Sequence, residues 1–253
     1  MLHGNTILIT GGGSGIGEAL AINLSKENKV VICGRNEDKL KRVSAKSDNI
    51  DYEVSDLSNP ESIVKLFATL KTKHILLDVL INNAGVVEIW NLSKQQLTPY
   101  EIFEKISTNL SGAIALTQEF IHQADHAKEN LIINNTSEIV IMPVPILPLY
   151  SASKTGLSVF TKCLRIQLKK TKFKVIEILP PAVDTDMPKQ INNPGALVNT
   201  DAFASDVIKN IRRGGTEYAP GANIVLLKLF KSLFPSAVII LMDRLSKKLL
   251  TNS

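Results

Sequence analysis

Residues 6–17 of the 253-residue chain read TILITGGGSGIG, an apolar, β-branched run that leads directly into a glycine-rich turn. The run predicts a buried strand, and the turn opens a helix. Gly11 permits the tight turn, Gly15 would let the backbone approach a pyrophosphate, and Gly17 would let the helix pack closely on the strand. The helix would direct N–H groups and the positive end of its dipole at the phosphates. The stretch therefore favours a nucleotide site over a turn that is only flexible.

The rest of the chain alternates short apolar runs with longer helical patterns. Strands are expected at 6–9, 30–33, 52–54, 77–81, 130–135, 173–179 and 216–219. Helices are expected from residue 15, over 37–46, from residue 59, and over 100–122, 150–170 and 202–213. Strands that alternate with helices indicate βαβ units and a parallel sheet. We therefore predict an α/β fold: a single doubly wound Rossmann domain over residues 1–221, with a mostly parallel sheet of about seven strands.

The composition indicates an ordinary globular protein, with 44% hydrophobic and 21% charged residues. The net charge of +5 is mild and is not concentrated as nucleic-acid binding requires, so we expect no nucleic-acid partner. Two cysteines, Cys33 and Cys163, suit a reducing compartment. No run approaches the roughly 18 to 20 apolar residues that cross a bilayer, and residues 1–17 lack the pattern of a secretory signal. We therefore expect a cytoplasmic protein.

Tyr150 and Lys154 lie four residues apart in a predicted helix and therefore on one of its faces. A phenol has an ordinary pKa near 10, and a fixed positive charge beside it would favour the phenolate and lower that pKa. The pair could thus act as an acid and base near neutral pH. The same spacing also fits a half-buried tyrosine beside a solvated lysine, and the spacing alone does not separate the two.

Polar residues follow four further strands of the predicted sheet. Asp56 follows the third strand, Asn-Asn-Ala-Gly at 82–85 follows the fourth, and Pro-Pro-Ala-Val-Asp-Thr at 180–185 follows the sixth. Ser137 follows the fifth strand and precedes Tyr150 by 13 residues. Ligands of doubly wound folds bind beyond the carboxyl ends of the strands, so these residues are candidates for a site.

The spacing Thr-Gly-x-x-x-Gly-x-Gly over residues 10–17, together with these later residues, resembles the short-chain dehydrogenase/reductase family from residue 6 to about residue 219. The stretch at 180–185 and the Gly-Arg-Asn at 34–36 resemble the DltE-type oxidoreductases of that family, which are associated with bacterial teichoic-acid D-alanylation operons. Pro181 stands where the family has a glycine, and it leaves the backbone less free.

The resemblance implies a catalytic set of Asn109, Ser137, Tyr150 and Lys154. Ser137 would donate a hydrogen bond to the substrate oxygen, and Tyr150 would transfer the proton. Lys154 would lower the pKa of the phenol and bind the nicotinamide ribose, and Asn109 would hold a water that links Lys154 to solvent. Thr136 is a competing hydroxyl, and the spacing to Tyr150 favours Ser137.

The resemblance also implies contacts to a nicotinamide cofactor. Asp56 would lie at the adenine and Thr185 at the nicotinamide carboxamide. The full set of expected contacts is Gly11, Gly13, Ser14, Gly15, Ile16, Gly17, Arg35, Asp56, Leu57, Asn83, Ala84, Gly85, Tyr150, Lys154, Pro180, Val183 and Thr185. No metal is expected.

The end of the second strand bears on the choice of cofactor. An acid there would bind the ribose 2′-OH of NAD, but this chain reads Cys-Gly-Arg-Asn at 33–36. Arg35 can pair with the 2′-phosphate of NADP, so we favour NADP(H). Arg35 could instead stack on the adenine, which is compatible with either cofactor, so NAD(H) stays open.

The substrate side of the predicted site is less specific. Residues 138–149 are mostly apolar and form either a substrate-pocket wall or core and subunit contacts. Residues 186–200 are a candidate lid. Residues 222–253 form an apolar, basic helical extension that Pro235 would divide. The extension could lie on an anionic membrane, cover the cleft or pack on another subunit.

The leading hypothesis is an oxidoreductase that transfers a hydride between NADP(H), or NAD(H), and a small-molecule carbonyl or alcohol, assembled as a homodimer or homotetramer. The alternative is a catalytically silent cofactor-sensing or interaction protein of the same fold, linked to cell-envelope D-alanylation. A silent protein has no need for the four residues of the catalytic set together, which favours the enzyme.

Overall fold

The computed structural model describes residues 2–185, 187, 197–220 and 224–251, and for residues 224–225 and 246–251 it describes the backbone alone. Within these ranges seven strands form one sheet. They are β1 (Thr6–Thr10), β2 (Lys29–Gly34), β3 (Ile50–Val54), β4 (Val79–Asn82), β5 (Asn130–Asn135), β6 (Phe173–Ile178) and β7 (Glu217–Tyr218). Their order is β3-β2-β1-β4-β5-β6-β7, and every neighbouring pair is parallel. The predicted fold class is confirmed.

Helices cover both faces of the sheet. They are α1 (Gly15–Leu24), α2 (Glu37–Ser44), α3 (Pro60–Thr72), α4 (Pro99–Ile106), α5 (Gly112–Gln123), α6 (Pro148–Gln167), α7 (Thr200–Arg212), α8 (Ile224–Leu233) and α9 (Pro235–Thr251). Buried apolar residues of α1, α2 and α7 pack on one face of the sheet. Those of α3, α5 and α6 pack on the other face. The strand order reverses at β1, so the site is expected at the carboxyl ends of β1 and β4.

The predicted helix over 100–122 consists of α4, a π-helical turn at Ser107–Ser111, and α5. The helix packs closely on the rest of the protein just after the π-helical turn. A Cβ added to Gly112 would lie 2.4 Å from the carbonyl oxygen of Leu57, so this helix approaches the β3–α3 connection more closely than a side chain allows. Single π turns inside α-helices are frequent at functional sites, and this one carries Asn109.

The carboxyl ends of β4 and β5 are joined by buried asparagines. The Asn82 Nδ2 atom donates to Asn134 Oδ1 over 2.8 Å, and Asn134 Nδ2 donates to Thr161 Oγ1 of α6 over 2.8 Å. One residue further, Asn135 Nδ2 donates to Asn83 Oδ1 over 2.8 Å. Buried amides need such partners, because an unpaired one costs about 1–3 kcal/mol.

Two of the predicted C-terminal features can be placed. Pro235 separates α8 from α9. Within the described residues, no helix combines the length and the apolar content needed to cross a bilayer. The candidate lid over 186–200 lies outside the described residues apart from Met187 and residues 197–200.

Candidate active site

A cavity of about 870 Å³ opens beyond the carboxyl ends of the strands. It brings together residues that are far apart in the sequence, from the glycine turn to Leu245 of α9. Of the residues predicted for catalysis or cofactor binding, all but Gly17 and Asn109 line this cavity. The predicted site residues therefore form one continuous surface, with two of them behind it.

The glycine turn forms the floor of the cavity where α1 begins. Gly11 and Gly15 have φ angles of +65° and +55°, in the left-handed region that favours glycine. A Cβ on Gly15 would lie 2.9 Å from Thr185 Cγ2, so the turn also closes against the residues after β6. Ser14 caps α1 in an extended conformation without a side-chain hydrogen bond, which leaves the first-turn N–H groups uncapped by that hydroxyl.

Gly17 packs behind the turn and does not line the cavity, and its contact with a cofactor stays a prediction. A Cβ there would lie 2.3 Å from the Gly11 carbonyl oxygen and 2.6 Å from Asn83 Nδ2. The role that the structure gives Gly17 is the close packing of helix on strand.

The nucleotide end of the cavity carries charges of both signs. Arg35 Nη1 lies 2.6 Å from Glu104 Oε1 of α4, and both side chains are about half exposed, at 49% and 46%. Lys39 also lines this end. Asp56 accepts hydrogen bonds from the backbone N–H and the hydroxyl of Ser58, at 2.9 and 2.7 Å, which fixes its carboxylate at the rim.

The two candidate hydroxyls after β5 differ in their partners. Thr136 Oγ1 is buried and hydrogen-bonded to the Ile178 carbonyl oxygen at 2.9 Å and to the Glu177 carboxylate at 3.0 Å. Ser137 lines the cavity together with Tyr150, and its hydroxyl oxygen accepts only from the backbone N–H of Ile139, over 3.2 Å, among the described contacts. The geometry therefore supports Ser137 as the hydroxyl available to a substrate.

Lys154 reaches the cavity from α6 and is only 2% exposed. Its Nζ donates to the Asn135 carbonyl oxygen over 2.7 Å and lies 5.8 Å from the centroid of the Tyr150 ring, over its face. Burial in this position lowers the pKa of Lys154 from 10.5 to about 8, because desolvation disfavours the ammonium.

The expected lowering of the Tyr150 pKa by Lys154 is wrong for this structure. Burial raises the pKa of Tyr150 to about 12, and the nearby Ser137 hydroxyl opposes that rise only in part. Lys154 is held on the face of the ring by Asn135 and is itself easily neutralised, so its charge does not overcome the burial of the phenol.

Asn109 lies behind the cavity wall, and its amide is occupied. Its Oδ1 accepts from the Val86 N–H over 2.8 Å, and its Nδ2 donates to the Val86 carbonyl oxygen and to Ser153 Oγ over 2.9 and 3.2 Å. The side chain thus anchors the segment after β4 to α6. Within the described contacts, Asn109 therefore positions its neighbours. Its side-chain amide, which was expected to hold a relay water, is already hydrogen-bonded to Val86 and Ser153.

Sequence reasoning missed several residues that set this geometry. Asn135 supplies the carbonyl that holds Lys154, and Asn134 joins β4, β5 and α6. The Asn-Asn doublet at the end of β5 repeats the one at 82–83 and was a usable signal. Glu104, which pairs with Arg35 from 69 residues away, had no such signal.

Residues 5–195 match a family model described as short chain dehydrogenase. The oxidoreductase DltE of Bacillus subtilis, which is named as uncharacterized, is 29% identical over 84% of this chain and 86% of its own length. The 3-oxoacyl-[acyl-carrier-protein] reductase FabG of Rickettsia prowazekii is 35% identical over 76% of this chain and 78% of its own length.

A solved structure extends the likeness to three dimensions. The 3-ketoacyl-(acyl-carrier-protein) reductase of Brucella melitensis, complexed with NADH, superposes with a TM-score of 0.75. It is 27% identical, over 83% of this chain and 91% of its own. The resemblance to the short-chain dehydrogenase/reductase family, with DltE-type proteins among the relatives, is confirmed.

The burial of Lys154 makes a prediction about stability and pH. The folded state releases the Lys154 proton near pH 8, whereas the unfolded chain retains it to about 10.5. The unfolded state therefore binds more protons between these values, and this lysine makes stability rise with pH across the window. We expect the free energy of unfolding of the wild type, relative to Lys154→Met, to increase by about 2–3 kcal/mol from pH 8 to pH 10.

Urea denaturation at pH 8, 9 and 10 measures this difference, and titrating groups that do not contact Lys154 cancel between the two proteins. Measurements stop at pH 10 because Tyr150 contributes with the opposite sign above it. If the free energy of unfolding depended on pH in the same way for the wild type and the variant, Lys154 would not be buried as described.

Proposed function

The chain belongs to the short-chain dehydrogenase family of oxidoreductases, and on that premise we propose that it transfers a hydride between a nicotinamide cofactor and a carbonyl or alcohol substrate. One observation carries the proposal. The Ser137 hydroxyl, the Tyr150 phenol and the Lys154 amine meet in one cavity with the glycine turn.

The residues present suit a dinucleotide. The turn at 11–17 has two glycines with positive φ and a helix N-terminus without a side-chain cap, a combination typical of phosphate sites. Asp56 and Arg35 at the far rim would hold the adenosine part. The nicotinamide ring, when bound, supplies or accepts the hydride, and the protein supplies position and proton handling.

The raised pKa of Tyr150 suits a proton donor in carbonyl reduction, because the phenol keeps its proton until the substrate oxygen gains charge. Ser137 would donate a hydrogen bond to that same oxygen. Lys154, with a pKa of about 8, would return a proton to the phenolate near neutral pH. Asn109 would hold the surrounding backbone, and the proposed relay water would then bind to groups other than its side chain.

We favour NADP(H) over NAD(H). The end of β2 offers Arg35 and, within one turn of α2, Lys39, both on the cavity wall. The Arg35–Glu104 pair is half exposed, so it contributes less than about 1 kcal/mol and does not prevent Arg35 from binding a 2′-phosphate. A charge-assisted bidentate contact to phosphate is stronger than that pair.

We further propose self-association as a homodimer or homotetramer and a cytoplasmic location. Exposed apolar side chains on α4 and α6 support the self-association. Tyr100 is 88% exposed and Phe103 is 73% exposed, and Val159 and Ile166 of α6 are also exposed. A second copy would remove these side chains from water.

The tail is proposed to contact an anionic membrane surface. On α8 the residues Leu226, Leu229 and Leu233 are exposed, while Lys228 pairs with Glu217 of β7 and Lys231 donates to the Val140 carbonyl oxygen. The helix thus turns its two lysines toward the body and three of its four leucines outward, the reverse of a surface helix in water. Such an outward apolar face fits the interface of a bilayer.

The charge of the tail favours lipid over a second copy of the tail. Residues 224–251 carry five basic side chains and one acidic side chain. Two such tails would repel each other, whereas anionic lipids attract basic segments. We therefore assign the outward face of α8 to an anionic membrane and propose that residues 222–253 extend the domain of residues 1–221.

We predict that the protein floats with vesicles that contain phosphatidylglycerol. The triple variant Leu226→Ser, Leu229→Ser, Leu233→Ser should reduce the bound fraction by about tenfold or more, because each leucine loses apolar burial in the bilayer. Density-gradient flotation measures the bound fraction.

The matched control is Val54→Ser, Val64→Ser, Leu76→Ser, which changes equally exposed apolar side chains elsewhere and should bind like the wild type. Vesicles of phosphatidylcholine alone should bind less protein. Equal flotation of the two triple variants would overturn the membrane assignment.

A second prediction concerns turnover. Tyr150→Phe should lower the rate of carbonyl reduction by about 10²- to 10⁴-fold, because the substrate oxygen loses its proton donor. Cofactor affinity should stay close to that of the wild type. Oxidation of the reduced nicotinamide is followed by its absorbance, with a panel of aldehydes and ketones.

Tyr100→Phe is the control, because it makes the same change at an exposed position of α4. A Tyr150→Phe variant as active as the control would refute the assignment. Cofactor binding without turnover of any substrate by the wild type would favour the silent sensor instead.

A third prediction concerns the cofactor. Arg35→Ser should weaken NADPH binding by about 10- to 100-fold, the loss expected for a charged hydrogen-bonded contact, and should leave NADH binding nearly unchanged. Arg213→Ser removes the same charge from the exposed residue after α7 and is the control. Dissociation constants from fluorescence titration give the answer, and tighter binding of NADH than NADPH by the wild type would contradict the proposed preference.

A further inference from the structure

Resting on the proposed function, we propose that the substrate carries a long aliphatic chain. The carbonyl or alcohol end would lie at Ser137 and Tyr150. The chain would extend along the cavity between the loop after β5 and the inward face of α9.

The two ends of the cavity differ in polarity. The nucleotide end holds the glycine turn and charged side chains. Beyond Tyr150 the wall is apolar and consists of Ile139, Met142, Val144, Ile146 and Leu147, joined by Met242 and Leu245. A wall of this kind takes aliphatic surface out of water and gives about 0.8 kcal/mol for each buried CH₂ group.

The last part of this wall comes from the tail. Val238, Met242 and Leu245 are spaced four and three residues apart and therefore share one face of α9. Val238 is 3% exposed, so this face is turned to the body of the protein there, whereas Leu245 is 47% exposed and lines the cavity at its rim. Residues 224–251 lie beyond the 5–195 matched to the family, so the tail supplies a wall that the matched region does not.

Two lysines near this end already have partners. Lys105 pairs with Glu88 over 2.6 Å, and Lys231 donates to the Val140 carbonyl oxygen. Burial raises the pKa of Glu138, the charged residue next to Ser137. The apolar end is therefore poorly suited to a substrate with an anionic tail and well suited to an uncharged chain.

The outer side of α9 suggests where an aliphatic substrate would come from. Ile240 lies opposite the face that carries Met242 and is 54% exposed. The same helix thus presents apolar surface to the cavity and to the exterior. With the tail resting on a bilayer, an aliphatic substrate would pass from lipid to the cavity along α9 and stay shielded from water.

Straight-chain aldehydes of about four to about ten carbons, assayed with NADPH and without vesicles, test the proposal. We expect kcat/KM to rise about fourfold for each added CH₂ until the apolar end is filled, the factor that corresponds to about 0.8 kcal/mol. Leu245→Ser and, separately, Met242→Ser should flatten this rise. Leu226→Ser makes the matched change on the outward face of α8 and should keep the wild-type slope.

Cofactor dissociation constants for each variant establish that its nucleotide site is folded. A wild-type kcat/KM that does not depend on chain length overturns this inference and leaves the proposed function standing. A slope that survives both Leu245→Ser and Met242→Ser overturns the role of α9. Absence of turnover at every chain length overturns the proposed function and the inference with it.

Discussion

The need of buried amides for hydrogen-bond partners governs the carboxyl edge of the sheet. Thr10 Oγ1 accepts from the backbone N–H groups of both Asn83 and Ala84 at 2.9 Å, and Asn83 accepts in turn from Asn135. The Asn135 carbonyl then holds Lys154. Because Thr10, Asn135 and Lys154 are buried, removal of one partner leaves a buried group unpaired at a cost of about 1–3 kcal/mol. The glycine turn and the amine of α6 are therefore parts of one connected arrangement.

Burial also sets the electrostatics of the central pair. It holds the Tyr150 phenol neutral and lowers the pKa of the Lys154 amine to about 8. The pKa values of the two groups thus shift in opposite directions, since desolvation penalises the charged form of each. The neutral Tyr150 phenol can therefore donate a proton, and it would do so when negative charge develops on a substrate oxygen.

Much of this could be predicted from the sequence, because the informative signals were local. The strand–turn–helix at 6–17 and the residues after each strand depend on short-range pattern and fixed strand direction. The pKa of Tyr150 could not be predicted, since burial is a property of the packed fold. The Arg35–Glu104 pair joins distant segments. The orientation of α8 was hidden as well, because helical periodicity shows that two faces differ and does not show which one turns inward.

The inverted orientation of α8 also affects how the tail is attached. Its inward contacts are the Lys228–Glu217 ion pair and the Lys231 hydrogen bond, whereas α9 is held by apolar contacts such as that of Val238. Salt screens the first kind of contact, and sulfate or phosphate salts strengthen the second. The two helices thus respond to ionic strength in opposite senses. We therefore expect rising salt to weaken the contact of α8 with the body more than that of α9, with Pro235 at their junction.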